Sequence, residues 1–204
     1  HIFSLHLYAN KINHSIRQEM NAYPDTENTM ITPPPAPQKQ WLVAYVKSCM
    51  EKKTAERLTA MGIEHYLPVQ TVERRWSDRI KRMEKLVLPL MIFVHVTPKE
   101  RPLPLTLSAV SRYMVLRGQH TPAVIPDQQM ERFRFMLDYS PEAVSFSATS
   151  LAPGDPIRVI KGPLTGLEGE LITLHGKHQV VIRIDLLGCA HVEIPVGYVE
   201  KIAD

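Results

Sequence analysis

The densest group of side chains able to engage a charged partner is Arg74, Arg75, Arg79, Lys81, Arg82 and Lys85, six cations within twelve residues, with Trp76 among them. Cations at this density neutralise phosphates, and an indole offers a face on which a base can stack. The plainer reading is a solvated, charged loop. Lys47, Arg112 and Arg117 are further cations that could extend such a surface. The other residues with chemical potential lead elsewhere. His175, His178, Cys189 and His191 share the last quarter of the chain, but no Cys-x-x-Cys occurs, and His175 and His178 flank a tight turn that sends them apart. Zinc sites rest on specific ligand spacings that are missing here, so no metal centre is expected. Asp155, Glu168 and Glu170 fit turn and strand-surface positions. No Gly-x-Ser-x-Gly, Walker loop or dinucleotide fingerprint is present. The sequence therefore points away from an enzyme, and no cofactor is expected.

The elements that must position these residues fall into blocks. Residues 1–40 read as a disordered N-terminal extension, with Pro33, Pro34, Pro35 and Pro37 favouring an extended chain. Trp41 to Val46 reads as a strand. Glu51 to Met61 reads as a helix, with Ala55, Leu58 and Met61 at helical spacing and Gly62 as its stop. Tyr66 to Val72 is a second expected strand and Leu86 to Val96 an almost unbroken apolar one. Leu105 to Ser111 is expected as a short helix, then Tyr113 to Leu116 and Ala123 to Ile125 as short strands. A last helix runs from Asp127 to Leu137, burying Met130, Phe133 and Leu137. Interleaved strands and helices of this size imply an α/β sandwich over residues 41–139, its sheet mainly antiparallel. Residues 140–152, rich in Ser, Thr, Ala and Pro, read as a linker.

Seven of the nine glycines fall in the last block, residues 153–204. Gly162, Gly166 and Gly169 stand within eight residues after the short apolar strand Ile157 to Ile160, which calls for a tight loop returning at once into another strand. Five short strands follow from the pattern: 157–160, 169–174, 179–186, 190–194 and 198–202. The expectation is a small all-β five-stranded barrel. Glycine and proline at this density disfavour helix, so a permanent β-structure is expected rather than a helical alternative.

Composition narrows the partners. The net charge of +3 is unevenly spread, with residues 41–150 at +5 and residues 151–204 at −2. The middle block is the one to meet a polyanion, and the last block is a poor non-specific nucleic-acid binder. Two cysteines, Cys49 and Cys189, suit a reducing compartment. No apolar run approaches the roughly 18 residues of a membrane span, so a cytoplasmic protein without membrane contact is expected.

The glycine pattern of residues 154–169 resembles the KOW motif of NusG-family transcription factors and several ribosomal proteins. Trp41-Leu-Val-Ala-Tyr45-Val-Lys47 resembles that family's opening strand. Leu88-Pro89-Leu90-Met91-Ile92-Phe93-Val94 resembles its Phe-Pro-Gly-Tyr-aliphatic-aromatic-Val strand, with Leu90 where the family has glycine and Met91 where it has an aromatic. Gly62 to Pro68 and Val124 to Met130 resemble the specialised UpxY-type, RfaH-like members more closely. The resemblance implies a non-enzymatic, monomeric transcription elongation and antitermination factor. It would serve selected long operons, such as those for surface polysaccharides. It further implies that Tyr45, Pro89, Met91 and Phe93 form an apolar patch for the clamp helices of RNA polymerase. Lys47, Arg74, Arg75, Trp76, Arg79, Lys81, Arg82 and Arg112 would face non-template DNA near the transcription bubble. The KOW domain would recruit a second protein. The alternative is a ribosome-associated or RNA-binding KOW protein, which predicts a basic barrel where this chain has an acidic one.

Overall fold

The computed structural model describes residues 37–75, 80–149 and 151–202. The chain divides into two units, residues 1–36 and 37–204, and the described residues all lie in the second. The first unit lies outside the described residues, and with it most of the N-terminal extension expected over residues 1–40.

The second unit opens on an antiparallel sheet. Its strands are β1 (Gln40–Val46), β2 (Glu64–Tyr66), β5 (Met91–Val96) and β6 (Val110–Tyr113), in the order β2-β5-β1-β6, and the short β7 (Val124–Ile125) also pairs with β1. β1 is buried on both faces. Leu42, Ala44 and Val46 join Leu58, Ile63, Ile92 and Val94 in one core cluster. Trp41 and Val43 join Phe93, Ile125, Met130 and Phe133 in another. Helix α1 (Glu51–Ala60) covers the first face. It ends where expected: Gly62 takes φ +70°, its N–H reaches the Thr59 carbonyl, and the Ile63 N–H reaches that of Leu58, both at 3.0 Å. That double bond pattern with a left-handed glycine is a Schellman cap, and only glycine adopts it without steric cost.

Between β2 and β5 the chain makes a separate two-stranded ribbon, β3 (Val69–Arg75) paired antiparallel with β4 (Ile80–Leu86). The second expected strand is thus split, because Pro68 has no N–H to give a ladder and marks the break between β2 and β3. The expected unbroken strand from Leu86 to Val96 is also interrupted. β4 stops at Leu86 and β5 starts at Met91, with a turn through Pro89 and Leu90. Residues 105–111 are not a helix. Instead α2 (Pro102–Leu105) is a single turn with proline at its start, where the missing N–H costs nothing, and β6 begins at Val110. Helix α3 (Asp127–Tyr139) covers the second face of the first sheet, burying Met130, Phe133, Met136 and Leu137.

The rest of the unit is a six-stranded antiparallel sheet. Its strands are β8 (Ser145–Ser147), β9 (Asp155–Val159), β10 (Glu168–Leu174), β11 (Lys177–Ile184), β12 (Gly188–Glu193) and β13 (Val199–Lys201), in the order β13-β9-β10-β11-β12-β8. The five strands read from the sequence are present. A closed five-stranded barrel is not. No pairing among the described residues joins β12 to β13, and β8, drawn from the segment expected as a linker, takes the edge of β12 through Cys189↔Ser147 and His191↔Ser145. The buried Gln70 amide fixes the approach to β8, donating to the Glu142 carbonyl at 2.9 Å and accepting from the Val144 N–H at 2.8 Å. The glycines do two different jobs. Gly162 and Gly166 take φ +83° and +93° to build the loop, whereas Gly169 is needed for space: a Cβ there would lie 2.7 Å from the Val181 carbonyl oxygen.

Candidate interaction surface and basic ribbon

The apolar surface is built at one end of the first sheet. β1 and β5 align Tyr45 with Met91, and β6 aligns Arg112 with Tyr45. Alternation puts Tyr45 and Met91 on the same face as Val43 and Phe93, the face that α3 covers farther along. Near the sheet's end that cover thins: Tyr45 and Met91 are half-buried, while Phe93 is fully buried. Phe93 packs against Tyr66 at 6.5 Å and Phe133 at 5.9 Å between ring centroids. It therefore presents no surface in this structure and acts as core beneath the patch. Pro89 is exposed, in the turn rather than in a strand. The Arg112 guanidinium sits 5.3 Å from the centroid of the Tyr45 ring, a cation–π distance. Lys47, just beyond β1, is exposed.

The turn that carries Pro89 has a feature the sequence did not reveal. Leu90 has φ +65°. Proline at the second position and positive φ at the third mark a type II turn, a place normally kept for glycine. For a residue with a Cβ this conformation costs roughly 1–2 kcal/mol. Both main-chain groups of Leu90 are held. Its N–H donates to Glu51 Oε1 at 3.0 Å and its carbonyl accepts from the Val46 N–H at 2.8 Å. Glu51, at the start of α1, is itself only 4% exposed. The departure from glycine at position 90 was visible in the sequence, but neither the left-handed backbone nor the Glu51 tether was.

The basic run divides. Arg74, Arg75 and Lys81 lie on the paired strands of the ribbon, with Arg74 opposite Lys81. Trp76 and Arg79 fall outside the described residues. Arg82 is exposed and bonded to Glu73 across the ribbon at 3.0 Å. Lys52 of α1 pairs with Glu84 of β4. Part of the ribbon's charge is therefore met within the chain, leaving Lys85 exposed with no carboxylate partner among the described residues. Arg112, on β6, stands over Tyr45, and Lys47 directly follows β1, so neither lies on the strands of the ribbon.

Elsewhere the charged groups are tied into structure. The Arg158 guanidinium bonds Glu168, and with help from Arg132 it holds that carboxyl below the ordinary carboxylate value. The Arg183 fork does the same for Glu170, at 2.6 and 2.8 Å. Burial pushes Glu64 upward, but the hydrogen bond and charge of His95 outweigh it and leave the group lowered. His191 contacts Ser147 at 3.2 Å and Gln179 at 3.3 Å, and burial depresses its basicity. Among the described residues no group of three metal-capable side chains converges, and no helix is long and apolar enough to cross a membrane.

Comparison with known proteins bears on the first sheet. Residues 39–134 match the family model described as "Transcription termination factor nusG". This stretch is similar to the NusG family over just under half of the chain. The match runs from just before β1 into α3 and so spans the patch and the ribbon, ending short of the second sheet. Among solved structures, the chain is similar to Thermotoga maritima NusG, described as "Domain interaction in Thermotoga maritima NusG", at 18% identity and TM-score 0.46, covering 81% of this chain and 98% of that one. It is also similar to a chain of the "MjSpt4:Spt5 complex" in conformation B, at 14% identity and TM-score 0.28, covering 80% and 97%. Conformation A gives 15% identity at the same score. A search of curated proteins returned no match.

Proposed function

We propose that the protein is a transcription elongation and antitermination factor of the specialised UpxY-like kind. The NusG-type domain docks on RNA polymerase through Tyr45, Met91 and the exposed turn at Pro89. The clamp helices lay an apolar tip against this end of the sheet, in the manner of helices received by apolar surfaces. Phe93 supports the floor from beneath. The ribbon, with Arg74, Arg75, Lys81, Arg82 and Lys85, faces non-template DNA near the bubble, as Trp76 and Arg79 would. The acidic second sheet acts as a KOW-type module that recruits a further protein. No chemical step is assigned to the chain, no cofactor is required, and its place of work is the cytoplasm.

One observation carries this reading: within the segment that matches the NusG family, Tyr45 and Met91 form a half-buried pair at the end of the sheet, with Arg112 over the tyrosine ring and Lys47 exposed beside it. The test is Met91→Glu, assayed by co-elution with RNA polymerase core enzyme. Loss of binding with an unchanged melting temperature is expected. Wild-type binding by this variant would show that the contact lies elsewhere.

A further inference from the structure

We infer that Leu90 is itself a contact residue of the docking surface, an apolar knob that the turn holds outward, and that the segment it meets is apolar and carries carboxylates. The inference rests on the polymerase-docking reading given above and adds to it a residue and the chemistry of the partner. Three observations converge. Leu90 is 45% exposed, so the core gains little from its side chain. Its backbone occupies the left-handed region at φ +65°, where glycine would sit without strain. Strain of this kind persists only where the surroundings over-determine it, and the Glu51 carboxylate and the Val46 N–H do so here by holding both main-chain groups. A leucine kept at such a position, beside Met91 and at the same end of the sheet as Tyr45, supplies contact area that glycine could not.

The rim defines the partner. Neither Arg112 nor Lys47 is paired with a carboxylate among the described residues, and Arg112 is parked over the Tyr45 ring. Two free cations around an apolar centre fit a partner whose apolar tip is flanked by acidic side chains, with the cations setting its orientation and encounter rate. Glu51 is a positioning residue. Its carboxylate fixes the turn, and its own side chain is too buried to touch a partner.

The experiment uses the full chain and purified RNA polymerase core enzyme, comparing Leu90→Gly, Met91→Glu and wild type. Leu90→Gly removes the knob and relieves the backbone, so its two readouts should move apart: melting temperature equal to or above wild type, and affinity reduced about tenfold. A merely structural leucine would not separate them in this way. If Leu90→Gly binds as tightly as wild type while Met91→Glu does not bind, the role of Leu90 is overturned and the docking reading stands. If Met91→Glu binds normally, both fall. For the tether, Glu51→Ala should weaken binding and Glu51→Gln, which keeps an acceptor for the Leu90 N–H, should restore it. Equal, wild-type binding by both would remove Glu51 from the mechanism.

Discussion

At the scale of single residues, the positions that decide this structure are the ones where a Cβ is either tolerated at a cost or forbidden. Leu90 accepts a left-handed backbone, and Gly169 allows no side chain at all. A methyl at 169 would meet the Val181 carbonyl oxygen at 2.7 Å and Ile182 Cδ1 at 2.9 Å. Neither can retreat, since one is ladder backbone and the other is core. Gly169→Ala should therefore destabilise the second sheet by about 1–3 kcal/mol, the usual range for overpacking, measured as a lower urea midpoint. An unchanged midpoint would mean that β10 and β11 separate more easily than the pairing implies. The difference between these two positions also shows what a sequence can and cannot convey. Gly162, Gly166 and Gly169 look alike as letters. The first two are required for their φ and the third for clearance, and only the pairing of β10 with β11 separates those reasons.

At the scale of elements, β10 concentrates the acid-sensitive chemistry. Glu168 and Glu170 each accept from an arginine, and both carboxyls are held below the ordinary value of 4.5. A depressed folded-state value means that the stabilisation is complete above the unfolded value and is lost as pH falls through the folded one. The second sheet should thus keep its thermal stability from neutrality down to about pH 4.5 and lose it below. Glu170→Gln should melt lower than wild type at pH 7, and the gap should narrow as pH falls below about 4.5 in a pH series of thermal scans. A constant gap would assign the effect to packing. The elements themselves were legible wherever period and punctuation agreed. β1, α1 with its Gly62 stop, α3 and the five C-terminal strands all follow from spacing and turn residues. The errors occur where apolarity runs on without a marker of direction. Leu86 to Val96 reads as one strand because Val87 and Leu88 are as apolar as their neighbours, yet both are buried in the bend that leads into the Pro89–Leu90 turn. β8 was hidden for the opposite reason: Ser145 and Ser147 are polar, and only Phe146, whose ring meets Phe133 at 6.3 Å, anchors the strand.

At the scale of the molecule, α3 is the part that both sheets share. Phe133 contacts Phe93 and Tyr66 from the first sheet and Phe146 from β8 of the second, while Arg132 bonds Glu168 and the Gln129 amide oxygen accepts from the Asp185 N–H. One apolar cluster runs from Trp41 through the helix to Val192. Phe133→Ala should therefore cost about 3–5 kcal/mol and lower the unfolding of both sheets together, monitored by circular dichroism and by hydrogen exchange in β1 and β11. Loss of protection in one sheet alone would show that the helix belongs to a single core. This sharing could not be read from the sequence. The buried stripe Met130–Phe133–Leu137 announces one covered face of a helix but not a second body on its other side.

The unclosed end-to-end order of the second sheet has its own outcome for behaviour in solution. A ring would have left no free rim, whereas among the described residues this arrangement leaves two, one along β8 and one along β13, each only three residues long. Rims so brief, with Lys201 on one and two serines on the other, give a neighbouring chain little to zip onto. Margins this short do not invite the fibrous stacking that longer bare margins promote.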